Sequence, residues 1–361
     1  MRSLALGSLA APLLFGLLAM RAVACEGSAF TLAQSSAPVP TPPVPDAASD
    51  APATVSAAQA CGDSAHARCS LIAKCSPAIL SNTYVNEATC ETRLKVNCLD
   101  QLAAPGTGAT AETTEACAVA LPSETCDQLL DDQPVAACAQ KTGSMSIGEM
   151  CAFPGQCQTG FCAIQPGAAC GTCQNAPQPG DSCARLTTCG DLLTCLTTVD
   201  LCESFSTTSC GPTQPCGAGL SCVGATSSAP GTCEAAVETA GNVCDPTQKK
   251  GPACDRNALL TCSSSKNSCV ALALVSAGAP CGVVNGASVL CAAAGTCVTT
   301  AADAGPDGGD AGTVSNCQAA ATDGLPCDLT KGPYCIAPAR CIVTGGGTSG
   351  TCAFVDPTKC Q

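Results

Sequence analysis

Residues 207–233 read Thr207-Thr-Ser-Cys210-Gly-Pro-Thr-Gln-Pro-Cys216-Gly-Ala-Gly-Leu-Ser-Cys222, followed by ten residues and Cys233. Between the four cysteines Leu220 and Val223 are the only large apolar residues, so this stretch cannot bury an ordinary core. What it can do is close disulfides, which restrain the unfolded chain where burial of apolar area is insufficient. Gly219-Leu220 ahead of the third cysteine fits a tight turn entering a short strand. The unit therefore reads as a two-stranded hairpin stapled by two bridges.

The phrase repeats. Gly-x-x-Cys occurs at Gly148 to Cys151, Gly180 to Cys183, Gly241 to Cys244, Gly278 to Cys281 and Gly324 to Cys327, and Thr207 replaces the glycine before Cys210. Recurrence at this spacing signals an array of small modules. Six follow one another over 142–361. Their cysteines are Cys151, Cys157, Cys162, Cys170 and Cys173; Cys183, Cys189, Cys195 and Cys202; Cys210, Cys216, Cys222 and Cys233; Cys244, Cys254, Cys262 and Cys269; Cys281, Cys291, Cys297 and Cys317; and Cys327, Cys335, Cys341, Cys352 and Cys360. The first and last modules have an odd number, so either at least one bridge crosses a module boundary or these boundaries are misplaced. Four cysteines allow three pairings, and the connectivity stays open.

Upstream the texture differs. Cys61, Cys69, Cys75, Cys90, Cys98, Cys117, Cys126 and Cys138 lie in segments dominated by Ala, Leu, Lys, Arg and Glu. Ser64 to Lys74, Val85 to Leu102 and Ala111 to Leu121 lack internal Gly and Pro and read as helices. Thr110 or Thr113 is the expected cap of the third, and Ser123 that of a short helix before Asp131. The expectation for 61–141 is a small helical bundle cross-linked by four bridges. The fold class is thus small and disulfide-rich: a Cys-cross-linked helical bundle followed by an array of short hairpin modules.

The N-terminus, with Arg2, an apolar run from Leu4 to Met20 and Ala22-Val23-Ala24 before Cys25, has the organisation of a secretory signal over 1–24. Two cleavages are open before Cys25. Ala22-x-Ala24 suits the ordinary signal peptidase, whereas small residues directly before a cysteine resemble the bacterial lipobox, which implies acylation of the Cys25 sulfur. The match departs from that pattern at Ala22, where Leu is usual. Parity favours the lipid, because setting Cys25 aside leaves 34 of the 35 cysteines, an even number. Residues 25–60 then form a Pro/Ala-rich tether, with prolines at 38, 40, 42, 43, 45 and 52. Residue 26 is Glu and not Asp, for which the lipoprotein resemblance implies the outer membrane; without the lipid the chain is expected to be secreted.

Cys151-Ala-Phe-Pro-Gly-Gln-Cys157-Gln-Thr-Gly-Phe-Cys162, with Cys170-Gly-Thr-Cys173, resembles the Dickkopf N-terminal cysteine-rich domain and the bacterial exported proteins that carry this motif in arrays. The resemblance covers about 26 residues closely and 174–361 loosely, and it implies the fold of the module without the signalling activity.

Composition narrows the function. After residue 60 about 16% of positions are Leu, Val, Ile or Phe, and the chain has no Trp, one His and a net charge of −13. A charge of this sign opposes binding to nucleic acid and to anionic membrane surfaces, so the only membrane association expected is through a lipid on Cys25. His66 lies beside Arg68 and Cys69 with no identifiable nucleophile, and reads as solvated or packed on a helix. Cys170-Gly-Thr-Cys173 reads as structural bridging in preference to a redox pair or half a zinc site. Gly345-Gly-Gly-Thr-Ser-Gly350 matches the dinucleotide fingerprint literally but lies between Cys341 and Cys352 with no strand-helix unit, and reads as a hairpin tip. Asp303, Asp307 and Asp310 lack the alternate spacing and distal Glu of a calcium loop. No catalytic residue, metal or cofactor is expected. The leading expectation is a non-enzymatic exported protein that presents loops to an extracellular protein or glycan; the alternatives are an exported protease inhibitor or carboxylate-dependent hydrolase, and a structural spacer.

Overall fold

The computed structural model describes residues 54–360, apart from 185, 187, 190–192, 197–198, 285–286 and 302–312. The signal segment, Cys25, the tether up to residue 53 and the acidic stretch around Asp303 to Asp310 lie outside the described residues.

Five helices come first: α1 (Ala57–Cys75), α2 (Pro77–Thr83), α3 (Glu87–Ala103), α4 (Ala111–Ala120) and α5 (Cys126–Leu130). Each is started by a side-chain oxygen that accepts an otherwise orphaned backbone N–H. Ser56, Ser76, Asn86, Thr110 and Thr125 do so, and Thr110 and Thr125 complete reciprocal boxes with Thr113 and Gln128. The first helix begins at Ala57, inside the stretch read as tether. The cap of α5 is Thr125 and not Ser123, whose hydroxyl donates to the Ala120 carbonyl in a 3₁₀ turn around Pro122. The short α2 has Pro77 in its first turn, the one place where a missing N–H costs a helix nothing.

Bridges replace the apolar seam between these helices. Cys61 is bonded to Cys98 and Cys69 to Cys90, so two pairs with the same eight-residue spacing ladder α1 against antiparallel α3. Cys75 to Cys126 ties the end of α1 to α5, and Cys117 to Cys138 ties α4 to the 3₁₀ turn Ala136–Cys138.

All six modules then use one wiring. Leaving aside Cys170 and Cys360, the first cysteine of each bonds to the third and the second to the fourth, from Cys151–Cys162 and Cys157–Cys173 through to Cys327–Cys341 and Cys335–Cys352. The third and fourth cysteines face each other across an antiparallel pair in every module, as Cys195 with Cys202, Cys222 with Cys233 and Cys262 with Cys269. The hairpin thus presents two sulfurs side by side, and the preceding loop supplies a partner for each. In modules 1, 3 and 6 a third short strand carrying the first cysteine (Met150–Cys151, Ser209–Cys210, Pro326–Asp328) pairs with the other edge of the last strand. Module 5 adds a three-stranded sheet with one parallel pair, Ala273–Val275 along Ala287–Cys291.

The repeated glycine now has a physical reason. Gly148, Gly180, Gly241, Gly278 and Gly324 all have φ between 82° and 90°, in the left-handed region where a side chain is strained. That turn aims the glycine N–H at the carbonyl of the fourth cysteine, at 2.9 Å for Cys173, 2.8 Å for Cys202, 2.7 Å for Cys269 and Cys317 and 2.8 Å for Cys352. Module 3 has Thr207 here, and the neighbouring Ser206 hydroxyl accepts the N–H groups of Thr208 and Ser209 instead.

Sulfur fills much of the interior, beside a few buried side chains such as Leu71, Ile72, Leu121, Phe153 and Phe161. The largest side chains less than 2% exposed are Gln156 and cysteines, with no aliphatic or aromatic residue among them. The described residues nevertheless make one compact unit, in which polar contacts join module 1 to the helices, module 6 to the helices and to module 1, and module 4 to module 3. Buried Gln156 accepts the N–H groups of Ala152 and Phe153 and donates to Pro105 O, which docks module 1 on the helices. Arg93 of α3 reaches module 6, where it donates to Ala337 O at 2.7 Å, Ile336 O at 2.6 Å and both oxygens of Asp323, with its guanidinium 4.8 Å from the Phe354 ring centre. Arg340 of module 6 donates to Ala169 O and Ala152 O of module 1. Cys170 and Cys360, the two cysteines left over by the module wiring, are bonded to each other.

Candidate functional site

Two concavities border the helices. The larger, an open groove of about 700 Å³, lies where Ile79, Leu130 and Asp131 meet Phe205 and Leu220 of module 3 and Asp255, Arg256 and Asn257 of module 4. It holds two carboxylates, the minimum a hydrolase of the kind anticipated would need. Both are already engaged. Asp131 accepts the Ala218 N–H, and burial holds its carboxyl above the usual carboxylate range against that bond. Asp255 accepts the Asn257 N–H at 2.9 Å, and the Asn257 side-chain amide oxygen in turn accepts the Ser76 hydroxyl. These contacts dock module 3 on α5 and module 4 on α2.

The smaller cleft, about 430 Å³, lies between α1, α3 and α4 and module 1, with Arg68, Asn97, Gln101 and Lys141 along its wall. Arg68 is committed to Glu124, whose side chain is 1% exposed and accepts one bond at 3.0 Å.

His66 on α1 pairs with Glu91 on α3 at 2.7 Å, a carboxylate partner the sequence did not identify. That bond raises the imidazole pKa. Among the described residues no hydroxyl or thiol hydrogen bonds to the ring, so the pair is an exposed cross-helix contact without a nucleophile.

Cysteine trios such as Cys151, Cys157 and Cys173, or Cys244, Cys254 and Cys269, bring their sulfurs within 4.8 Å of one another, which is metal-site spacing. Every one of these sulfurs is in a disulfide, and a metal takes a thiolate. Cys170 and Cys173 are not bonded to each other: they go to Cys360 and Cys157. Gly345 to Gly350 connects the strands Arg340–Ile342 and Ser349–Ala353, with positive φ at Gly345, Gly346 and Gly347, and is a hairpin tip.

Two loops are pinned by a carboxylate that collects their donors: Asp328 accepts the N–H groups of Thr330 and Lys331 and the hydroxyls of Thr330, Thr348 and Ser349, and Asp245 organises the loop between Cys244 and Cys254. Asp245 accepts the Thr247 hydroxyl at 2.7 Å and the backbone N–H groups of Thr247, Lys249 and Lys250 at 2.8, 3.0 and 2.8 Å, which together hold its carboxyl down to about 2. The Gln248 N–H donates to Asp245 O, and the Asp245 N–H to Pro252 O. The result is a rigid turn with Gln248 at φ 54° and with Lys249 and Lys250 exposed. A substrate-like inhibitor loop needs extended backbone with free donors for the protease groove. Here those donors point inward, so no row of backbone N–H groups is offered to a protease.

Compared with family models, with curated proteins and with solved structures, the chain matches none. The Dickkopf-like reading of 151–173 rests on its cysteine spacing. The disulfides fit an extracellular or exported protein, and no helix among the described residues is long and apolar enough to cross a membrane.

Proposed function

We propose that the chain is an exported, non-enzymatic surface protein, anchored through a lipid on Cys25 to the outer membrane, whose stapled modules present loops to an extracellular protein or glycan. The observation that carries this reading is the organisation of the 245–253 loop. Its polar groups are used to fix its own backbone while its cations face solvent, which is how a rigid frame displays a recognition element. Of the groove carboxylates, Asp131 holds module 3 on the end of α5 and Asp255 fixes the local turn at Asn257.

The test is a panel of peptide and glycan substrates offered to the oxidised mature chain, together with mass spectrometry of the membrane fraction. The reading predicts no turnover and an acylated peptide beginning at residue 25. Hydrolysis that disappears in Asp131→Asn or Asp255→Asn establishes the carboxylate-dependent alternative in its place.

A further inference from the structure

Charge is distributed unevenly over the array. Modules 1, 2, 3 and 5 each carry more acids than bases, and module 6 sets Lys331, Arg340 and Lys359 against Asp323, Asp328 and Asp356. Only module 4 is basic, with Lys249, Lys250, Arg256 and Lys266 against Asp245 and Asp255, in a chain of net charge −13. All four cations are exposed, and among the described residues no ion pair joins any of them to a carboxylate. Lys249 and Lys250 sit on the turn that Asp245 fixes, so little backbone freedom remains to be lost on binding.

Beside the turn lies a cleft of about 320 Å³ whose wall includes Lys250, Pro252, Asn267 and Val243, the last 80% exposed, together with Asp245, whose carboxylate oxygens already accept the loop's own N–H groups and the Thr247 hydroxyl. It offers an ammonium, an amide and an apolar face next to one another.

We propose that this face of module 4 binds an acidic polysaccharide, a glycan chain bearing carboxylate or sulfate groups. The inference rests on the binding reading above and names its partner. Three features select the polysaccharide. From Asp245 to Lys250 every backbone N–H is spent inside the loop or, at Pro246, missing, so a peptide finds no edge to pair with and recognition must run through side chains. The surrounding modules are acidic, so a broad anionic surface such as a membrane or duplex nucleic acid is repelled as it approaches. A single polymer strand can engage the lysine side chains of one basic module without covering the acidic modules around it. The cleft lacks an aromatic platform, on which single-stranded nucleic acid bases would stack, but its amide and ammonium suit hydroxyl and acidic groups on one sugar.

The experiment uses the full mature chain, oxidised, with a polyuronate and a sulfated dextran as probes and neutral dextran, anionic vesicles and single-stranded DNA beside them. The wild type should bind an acidic polysaccharide with an affinity that falls as salt rises, and ignore neutral dextran. Lys249→Gln with Lys250→Gln should weaken binding about tenfold, as expected for losing two exposed ion pairs held in fixed geometry. Lys249→Arg with Lys250→Arg should preserve it, and so should Lys74→Gln with Lys95→Gln in the helices. Which acidic probe binds separates carboxylate from sulfate. Polysaccharide binding unaffected by the double glutamine variant, stronger lysine-dependent binding to vesicles or DNA, or no polysaccharide binding overturns this proposal and leaves the binding reading standing. Cleavage of the polyuronate overturns the binding reading itself.

Discussion

Cys170 of module 1 is bonded to Cys360 of module 6, 190 positions along the chain, with their Cα atoms 5.4 Å apart. The first and last modules are thereby clasped, and Arg340 crosses the same junction to Ala152 O and Ala169 O. In the chain-entropy model a loop of this length is worth about 5 kcal/mol. The bridges internal to modules 2–6 shorten the effective path, so the clasp should contribute about 3–5 kcal/mol. Cys170→Ala with Cys360→Ala should lose that amount in reversible denaturation of the oxidised protein. Hydrogen exchange should rise first along Cys360 and α3, with the other bridges intact.

Arg93 anchors α3 to module 6 from a side chain that is 10% exposed. Asp323 is half-exposed, so most of the loss on truncation comes from the stranded carbonyls of Ile336 and Ala337 and from the Phe354 contact. Arg93→Ala should cost about 2–4 kcal/mol. Arg93→Lys should recover little, since an ammonium cannot span the same fork of acceptors. Chemical denaturation measures both.

The module glycines separate backbone strain from packing. A Cβ on Gly241 or Gly278 would meet open space, yet φ is 88° and 86° there. Alanine at either site should cost about 1–2 kcal/mol for the left-handed backbone alone. Gly211 also faces open space but has no such φ, and Gly211→Ala should be neutral or mildly stabilising.

Two titrations test the local electrostatics, with opposite signs. Asp245 is held down to about 2, so the stability linked to it is present above the unfolded carboxylate pKa and is lost as pH falls through about 2. His66 is raised by Glu91, so its contribution is full below the unfolded imidazole value and disappears as pH rises through the folded one. NMR titration should show Asp245 still ionised at pH 3, and Glu91→Gln should return His66 toward its ordinary value.

The module fold was legible because its signals are local. Gly-x-x-Cys marks a positive-φ turn three residues before a bridged cysteine, and Thr110 marks a helix start. The surplus cysteine in the first and last modules gave a bond between modules as one of two explanations, and parity alone did not name Cys170 and Cys360 as its ends. The one-to-three, two-to-four wiring was not legible, since all three pairings of four cysteines satisfy the same spacing. Nor were the anchors Arg93 and Gln156: their acceptors are backbone carbonyls far along the chain, which leave no residue-type signature. Within module 4 the adjacent lysines are plain in the sequence. The inward turn of their backbone toward Asp245 appears only in three dimensions.

The claim that a covalent frame organises the whole molecule is tested most directly by mapping the cysteines of the mature protein, digested without reduction after blocking free thiols under denaturing conditions. The account predicts first-to-third and second-to-fourth bonds in every module, a peptide linking Cys170 to Cys360, and no blocked thiol from Cys61 onward. Free thiols within the modules, or a bond between the facing pair Cys222 and Cys233, would contradict it.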